Sequence, residues 1–332
     1  MKNIFKKFSL LTLTTLFVFG CSTVDFGDEN VNPNSPTNKK TDALLTNAIT
    51  AIPGIVSAVA PNYYPQTLSD ITYTTYSRYD TYQWNYDGFY TGPLNDLKEI
   101  IDLNTNSASE VIAFGDNNNQ MAIAHILQVY MYHHMTDRWG AIPYSQALKG
   151  ADNISPALDQ QQDVYTGLFA QLEAAMGYIN SSSVQVQGDI MFGGDMNSWR
   201  RFANTLKMTM ALRISDADPS TAKSKFEQAA SSGTLVTSNA ANLEYNYGSD
   251  NNSANPWYLN FETREDYIAS EEIIESLRTN LDPRLFKFFA PARDSESPIA
   301  LFPGEIDKGY VGAEDGKVNG NVPDYSFISS DI

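Results

Sequence analysis

QMAIAHILQVYMYHHMTDRWGAIPYSQAL, residues 120–148, is the stretch that decides the fold. From Met121 to Met135 eleven of fifteen positions are apolar or aromatic, and only His125, Gln128, His133 and His134 interrupt the run. A helix that is apolar nearly all round is enclosed by other elements rather than laid on a surface. It is too short, and too often broken by polar residues, to cross a bilayer. Asp137-Arg138-Trp139-Gly140, with Pro143 just beyond, stops it: glycine supplies the left-handed conformation that ends a helix, and proline cannot continue one. The spacing predicts a central helix over 117–136 that needs other helices around it.

The flanking sequence supplies them. Leu94, Leu97, Ile100 and Ile101 give an amphipathic helix over 90–103, and Val164, Leu168, Leu172, Ala175 and Ile179 another over 161–180. Over 198–214, Trp199, Phe202, Ala203, Leu206 and Met210 share one stripe, with Ser198 as expected N-cap. Lys207 and Arg213 fall in its later turns, where the helix dipole favours cations. Asp218-Pro219 reads as N-cap and first residue of a helix to about Ser231. Upstream, 42–59 has helical spacing from an Asp42 N-cap, interrupted by Pro53. A second helix is expected over 64–82. Helix pairs in series suggest a tetratricopeptide-like solenoid, although no repeat consensus recurs at a fixed period. After residue 232 the chain turns to Asn, Ser and Gly, so 237–257 is expected as loops and short strands. One helix returns at 268–280, with Ile273, Ile274 and Leu277 inside and Glu271, Glu272 and Glu275 outside. Residues 291–332 read as Pro- and Gly-rich loop. The expected fold class is therefore mainly α: an alpha-alpha superhelix of tetratricopeptide-like helix pairs packed with an irregular, loop-rich region.

The first residues give the destination. Lys2, Lys6 and Lys7 precede an apolar core from Phe8 to Phe19, the pattern of a signal peptide over 1–20. It ends in Gly20-Cys21, and Cys21 is the only cysteine. A small residue before a cysteine at that place resembles a bacterial lipobox, which makes Cys21 the expected lipidation site. The other reading is an ordinary signal with an incidental cysteine. Either way no intramolecular disulfide is possible. Residues 21–41, polar and with two prolines, read as a tether, and 42–332 as one domain. The formal net charge is −17; losing Lys2, Lys6 and Lys7, with no acid among residues 1–20, takes it to −20. Such a surface repels nucleic acid and anionic lipid, so nucleic-acid binding is excluded and any membrane attachment runs through the lipid on Cys21.

No nucleophile elbow, phosphate-binding loop, dinucleotide fingerprint or zinc-protease motif is present. His133 and His134 are adjacent and diverge by about 100° on a helix, so they cannot share a metal in the usual i, i+4 manner; they and His125 are expected to be core or turn histidines. Glu271, Glu272 and Glu275 could pair as glycosidase carboxylates but suit a solvated helix face better. Residues 315–321 have a calcium-loop flavour without the acidic spacing or closing glutamate of an EF-hand. No metal and no cofactor is expected. The positive anomaly is aromatic: residues 63–90 hold eight tyrosines, Trp84 and Phe89. Tyr73, Tyr76, Tyr79 and Tyr82 are three apart, and on a helix they drift over about half the circumference, so one buried stripe cannot hold them. They either pack an interface with hydroxyls at its rim or form a ligand platform. The ligand-binding candidates are Tyr73, Tyr76, Tyr79, Tyr82, Trp84 and Tyr86, with Trp257 and Tyr258 in a polar loop as a second platform.

Three segments together resemble a known family: DRWGAIPYSQAL at 137–148, NSWRRFANTLKMTMALRISD at 197–216, and Leu281-Asp282-Pro283-Arg284-Leu285 after YIASEEIIESL. Behind a lipoprotein signal they look like the SusD/RagB family of Bacteroidetes outer-membrane lipoproteins, in its SusD-like branch. The resemblance implies a helix-pair solenoid packed on a less regular region. It implies a lipid-anchored protein of the outer membrane, facing the cell exterior. Its role would be to bind an oligosaccharide or peptide nutrient and deliver it, without catalysis, to a partner TonB-dependent (SusC-like) transporter. Members usually run further beyond the Asp-Pro-Arg segment, so the chain is expected to lack a C-terminal part. Two other functional classes stay open: a surface glycan-degrading enzyme working through buried carboxylates, and a helical scaffold that binds only protein partners.

Overall fold

The computed structural model describes residues 40–58, 60–80, 85–251, 253–262, 265–293, 299–302, 305–307, 309–316 and 322–329. The expected signal peptide, Cys21, all but the last residues of the tether, Tyr82 and Trp84 lie outside the described residues. From Thr41 onward the chain is one compact unit.

The helices in chain order are α1 (Thr41–Thr50), α2 (Ile52–Val56), α3 (Asp87–Thr91), α4 (Pro93–Asn106), α5 (Ala108–Val111), α6 (Asn117–Trp139), α7 (Gln161–Tyr178), α8 (Met196–Arg213), α9 (Pro219–Ser231), α10 (Pro256–Glu262), α11 (Glu271–Thr279) and α12 (Leu285–Phe288). Helix α6 is the opening stretch. Asp116 caps it by accepting from the Asn119 amide, and Gly140 ends it at φ +71°. It runs through Asp137 and Trp139, so the expected hard stop is Gly140 alone. Its apolar positions are buried on every side, among them Ile123, Ile126, Leu127, Met131 and Met135.

Polar side chains at the helix ends set the packing. Asn117 donates to Asn104 at 2.7 Å, while at the other end Tyr90 packs on Tyr132, so α4 and α6 are antiparallel. Asn119 and Asn180 exchange two hydrogen bonds at 2.9 and 2.8 Å, and Tyr165 donates to Asp137 at 2.6 Å, so α6 and α7 are antiparallel as well. Asn204 donates to Thr234 and Lys207 to Gln228, which turns α9 back along α8. The fold is thus mainly helical, a superhelix of helix pairs around one apolar core that includes Leu97, Leu127, Leu168, Trp199 and Met210.

Several boundaries differ from expectation for physical reasons. The first helix starts at Thr41, with Asp42 inside its first turn, and stops before Pro53, which opens the separate helix α2. Pro93 likewise splits the expected 90–103 helix, since it has no N–H to give the preceding turn. Asp195, not Ser198, caps α8: its carboxylate accepts from the Asn197 amide and takes the Ser198 hydroxyl at 2.5 Å. Asp218 caps α9 as predicted, accepting from the Thr221 amide.

The expected helix over 64–82 does not form. The chain makes strand β1 (Leu68–Asp70), turns, and one 3-10 turn at Tyr76–Arg78. β1 pairs antiparallel with β2 (Tyr267–Ala269), Leu68 opposite Ala269 and Asp70 opposite Tyr267. Backbone groups of a β-prone Thr/Tyr segment are satisfied by a partner two hundred residues away, which outcompetes local helix. For the same reason 267–269 is strand, and α11 begins only after Ser270, which caps it through the Ile273 amide. Ile274 and Leu277 are buried and Glu271, Glu272 and Glu275 exposed, as the pattern required. Around this sheet Tyr63, Leu68, Ala269, Ile274, Leu285 and Phe289 form a smaller core.

Candidate functional site

The sheet brings the two aromatic candidate stretches together. Tyr63 and Tyr76 stack with centroids 5.8 Å apart and planes 4° from parallel. Tyr63 also touches Tyr267, and Trp257 and Phe261 meet Tyr267 edge-on at 6.4 and 5.8 Å. Trp257 is not in a loop: Asn255 accepts from the Trp257 amide at 2.9 Å and Pro256 starts helix α10. Tyr63 is buried, and Tyr76 and Trp257 are half-buried. Tyr76 and Trp257 therefore belong to a ring cluster that also holds the smaller core together.

A second group faces solvent. Tyr64 and Tyr79 stack at 6.2 Å with planes 28° apart, and are 42% and 53% exposed. Tyr79 adopts φ +58°, a conformation disfavoured for a side chain of this size. It is held there by hydrogen bonds from its own amide to the Tyr76 carbonyl and from the Asp80 amide to the Thr75 carbonyl. The Tyr64 hydroxyl donates to the Asp80 carbonyl, which keeps the pair in register. Tyr73 and Tyr258 are exposed too, at 51% and 61%. Tyr86 is placed elsewhere: it is half-buried edge-on to Trp139 at 5.4 Å and to Tyr90 at 5.9 Å, where it closes the end of α6. Among the candidates, then, the structure presents Tyr73, Tyr79 and Tyr258 to solvent, builds Tyr76 and Trp257 into a core, and assigns Tyr86 to the scaffold. Tyr64 was not singled out from the sequence. Its only signal was membership of the tyrosine-rich run.

Two of the carboxylates near the rings are withdrawn from solvent. Asp70 and Asp266 are buried. Burial raises the Asp70 pKa, against two amide hydrogen bonds from Tyr73 and Thr72 that lower it. Burial, then Asp70, Tyr267 and Asp266, push the Tyr63 hydroxyl far above its usual range. The glutamate trio on α11 is exposed, with Glu275 paired to Arg278.

The histidines are part of α6. His125 faces Gln171 at 3.1 Å, His134 lies edge-on to Tyr130, and buried His133 sits 3.4 Å from Asp137 without closing a hydrogen bond, which departs from a fully bonded core histidine. Among the described residues no group of three or more His, Cys, Asp or Glu side chains converges to hold a metal. Of the calcium-flavoured stretch, only Asp315 and Gly316 are described. The arrangement as a whole leaves the Tyr64 and Tyr79 rings stacked on each other and open to solvent.

Comparison with known proteins agrees with the fold. A SusD-like family model, described as starch-binding associating with outer membrane, matches residues 33–327. A solved chitin-binding protein is 25% identical, with a TM-score of 0.71 over 88% of this chain and 64% of its own length. A SusD homologue from Bacteroides fragilis is 20% identical with a TM-score of 0.71, covering 88% of this chain and 62% of its own. A SusD/RagB family protein from Bacteroides thetaiotaomicron is 20% identical with a TM-score of 0.69 at the same coverages. The chain thus spans less than two thirds of the length of each. No curated protein matches it.

Proposed function

The chain belongs to the SusD-like family, and from that premise we propose that it is a non-catalytic lipoprotein of the outer cell surface, anchored through Cys21. It captures an oligosaccharide on the Tyr64–Tyr79 face and delivers it to a partner TonB-dependent transporter. Residues 1–20 serve as signal, 21–41 as tether and 42–332 as the binding domain. The observation that carries the ligand site is the solvent-facing pair itself. Two stacked rings with polar edges match the alternating apolar faces and hydroxyl rims of pyranose units, and the backbone at Tyr79 is held in an unfavourable conformation to present one of them. The chitin-binding description of one structural relative supports a glycan as the class of ligand. Burial of Asp70 and Asp266 favours binding over hydrolysis.

Affinity gels of starch, chitin and mixed plant glycans test this directly, followed by calorimetric titration of soluble oligomers of whichever glycan retards the protein. Retardation that is lost on Tyr64→Ala and Tyr79→Ala is expected, together with recovery of a TonB-dependent transporter when the tagged protein is pulled from solubilised membranes. Migration indifferent to every glycan, or turnover of the oligomer, would overturn the reading.

A further inference from the structure

Tyr79 occupies a place that ordinarily belongs to glycine. The Asp80 amide donates to the Thr75 carbonyl at 3.2 Å, and the Tyr79 amide to the Tyr76 carbonyl at 3.0 Å. These are the two bonds of the Schellman motif, in which the residue past the turn is left-handed and usually glycine, because a Cβ there is strained. Tyr79 carries that strain at φ +58°. The turn before it is a single 3-10 turn, Tyr76–Arg78, too short to persist on its own hydrogen bonds. A strained residue in such a setting keeps its conformation only where the surrounding structure fixes it.

Part of the fixing falls on the start and middle of the turn. Tyr76 stacks on Tyr63, and the hydroxyl of buried Ser77 accepts from the Asp70 amide at 2.9 Å, which ties the turn to β1. The residue that leads directly into Tyr79 is Arg78. Its side chain crosses to a segment 238 residues further on, where Nε and Nη2 both donate to the Gly316 carbonyl, at 3.1 and 3.0 Å. A planar guanidinium that meets one carbonyl through two N–H groups is fixed in direction as well as in distance.

The far end of this clamp is itself anchored. Three residues before Gly316, buried Ala313 donates to the Ala269 carbonyl and accepts from the Glu271 amide, each at 2.9 Å. The segment carrying the carbonyl is thereby joined to β2 and to the start of α11. Gly316 adopts φ +72°, and a Cβ on it would stand 2.9 Å from Arg78 Cγ. Glycine at 316 thus leaves the arginine stem the room to lie across the carbonyl.

We propose that Arg78 is a positioning residue for the tyrosine pair: clamped on Gly316, it holds Tyr79 in the conformation that lays its ring on Tyr64. Without the clamp Tyr79 leaves the left-handed region and the pair opens, while both cores stay intact. The effect on glycan affinity rests on the reading of that pair as the ligand platform; the effect on ring geometry does not.

The test uses the mature chain with its tyrosines replaced by 3-fluorotyrosine, the Tyr79 fluorine resonance being identified by its absence in Tyr79→Phe. In Arg78→Ala that resonance should move toward the position of free fluorotyrosine, as the ring current of Tyr64 is lost. Arg78→Lys, which can still place an ammonium on the carbonyl, should restore part of the shift. Gly316→Ala should move the resonance in the same direction as Arg78→Ala, and should add nothing in a protein that already lacks Arg78. In calorimetric titration with the glycan that retards the wild type, Arg78→Ala should weaken affinity about three- to tenfold, with little change in melting temperature. A Tyr79 resonance identical in wild type and Arg78→Ala overturns the proposal, and weaker glycan binding alongside it would make Arg78 a direct ligand contact instead. Affinity reduced by Tyr79→Ala but not by Arg78→Ala also overturns it. If Tyr79→Ala leaves glycan binding untouched, the platform reading fails, and the fluorine resonance alone decides the role of Arg78.

Discussion

Tyr144 lies over Gly167 so closely that a Cβ at residue 167 would stand 2.4 Å from the ring's Cε1. The segment after α6 is thereby folded back onto the middle of α7. The Tyr144 ring is edge-on to Tyr132 at 5.1 Å, its hydroxyl donates to Gln171 at 3.0 Å, and Asp159 accepts from the Tyr144 and Ser145 amides. Alanine would gain up to about 1 kcal/mol in helix propensity over glycine. The ring cannot swing aside without losing those contacts, and overpacking costs about 1–3 kcal/mol. Gly167→Ala should therefore destabilise the protein, with a lower urea midpoint. A raised midpoint would show that the tyrosine yields freely.

Asp189 anchors the loop before α8. It accepts from the amides of Met191, Phe192 and Gly194, and from the indole of fully buried Trp199 at 2.7 Å. Asp189→Ala strands several enclosed donors at once. At about 1–3 kcal/mol for each donor left without a partner, a loss of about 3 kcal/mol or more is expected in urea unfolding. Asp189→Asn retains one acceptor oxygen and should fall between wild type and alanine. Equal stability of all three proteins would remove Asp189 from the framework.

The two tyrosine groups should separate experimentally. Tyr64→Ala and Tyr79→Ala remove exposed rings, so each should cost about 0.5–1.5 kcal/mol of glycan affinity with little change in melting temperature. Tyr76→Ala empties a place in the stack on Tyr63 and should lower the melting temperature instead. Identical profiles for Tyr76 and Tyr79 in paired binding and melting measurements would contradict the division.

Acid should weaken the fold through its buried histidines. Burial, then His133 and Arg138, lower the His134 pKa to about 4, and burial also lowers His125 and His133. The unfolded chain takes up these protons near the ordinary pKa of 6.5, whereas the folded chain resists them to a lower pH. Between those values the unfolded state binds more protons, so stability falls as pH falls. For His134 the loss is at most roughly 3 kcal/mol between pH 7 and pH 4. Melting temperature against pH should slope less steeply in His134→Gln than in wild type; parallel curves would rule His134 out as the source.

The scaffold was legible because its information is local. Helix α6 carries its apolar residues all round, α7 and α8 carry theirs at helical spacing, and Asp218-Pro219 announces α9. The tyrosine region was not legible for the opposite reason. Tyrosines three apart imitate a helical period, while Tyr76 stacks on Tyr63 and Tyr79 on Tyr64, and Tyr63 in turn rests on Tyr267 of the distant strand. Nothing in the residue type at position 79 signals its left-handed backbone, because the usual marker, glycine, is absent. That conformation is what lays its ring on Tyr64. Sequence could therefore name the aromatic run as unusual, but not sort its members into core and surface.

The pairing of Leu68 with Ala269 has a consequence in time. As the chain emerges during synthesis, helices α1 to α9 can close on one another by contacts between near neighbours. Strand β1 leaves early but has no partner until residue 269 is out, and pairing across so long a loop is slow. Tyr63 waits with it, since Tyr267, on which its ring rests, comes from the same late segment, and Tyr76 is stacked on Tyr63. The part of the molecule proposed to meet a ligand is thus the last to acquire its shape, and a polypeptide released halfway would look well folded without it.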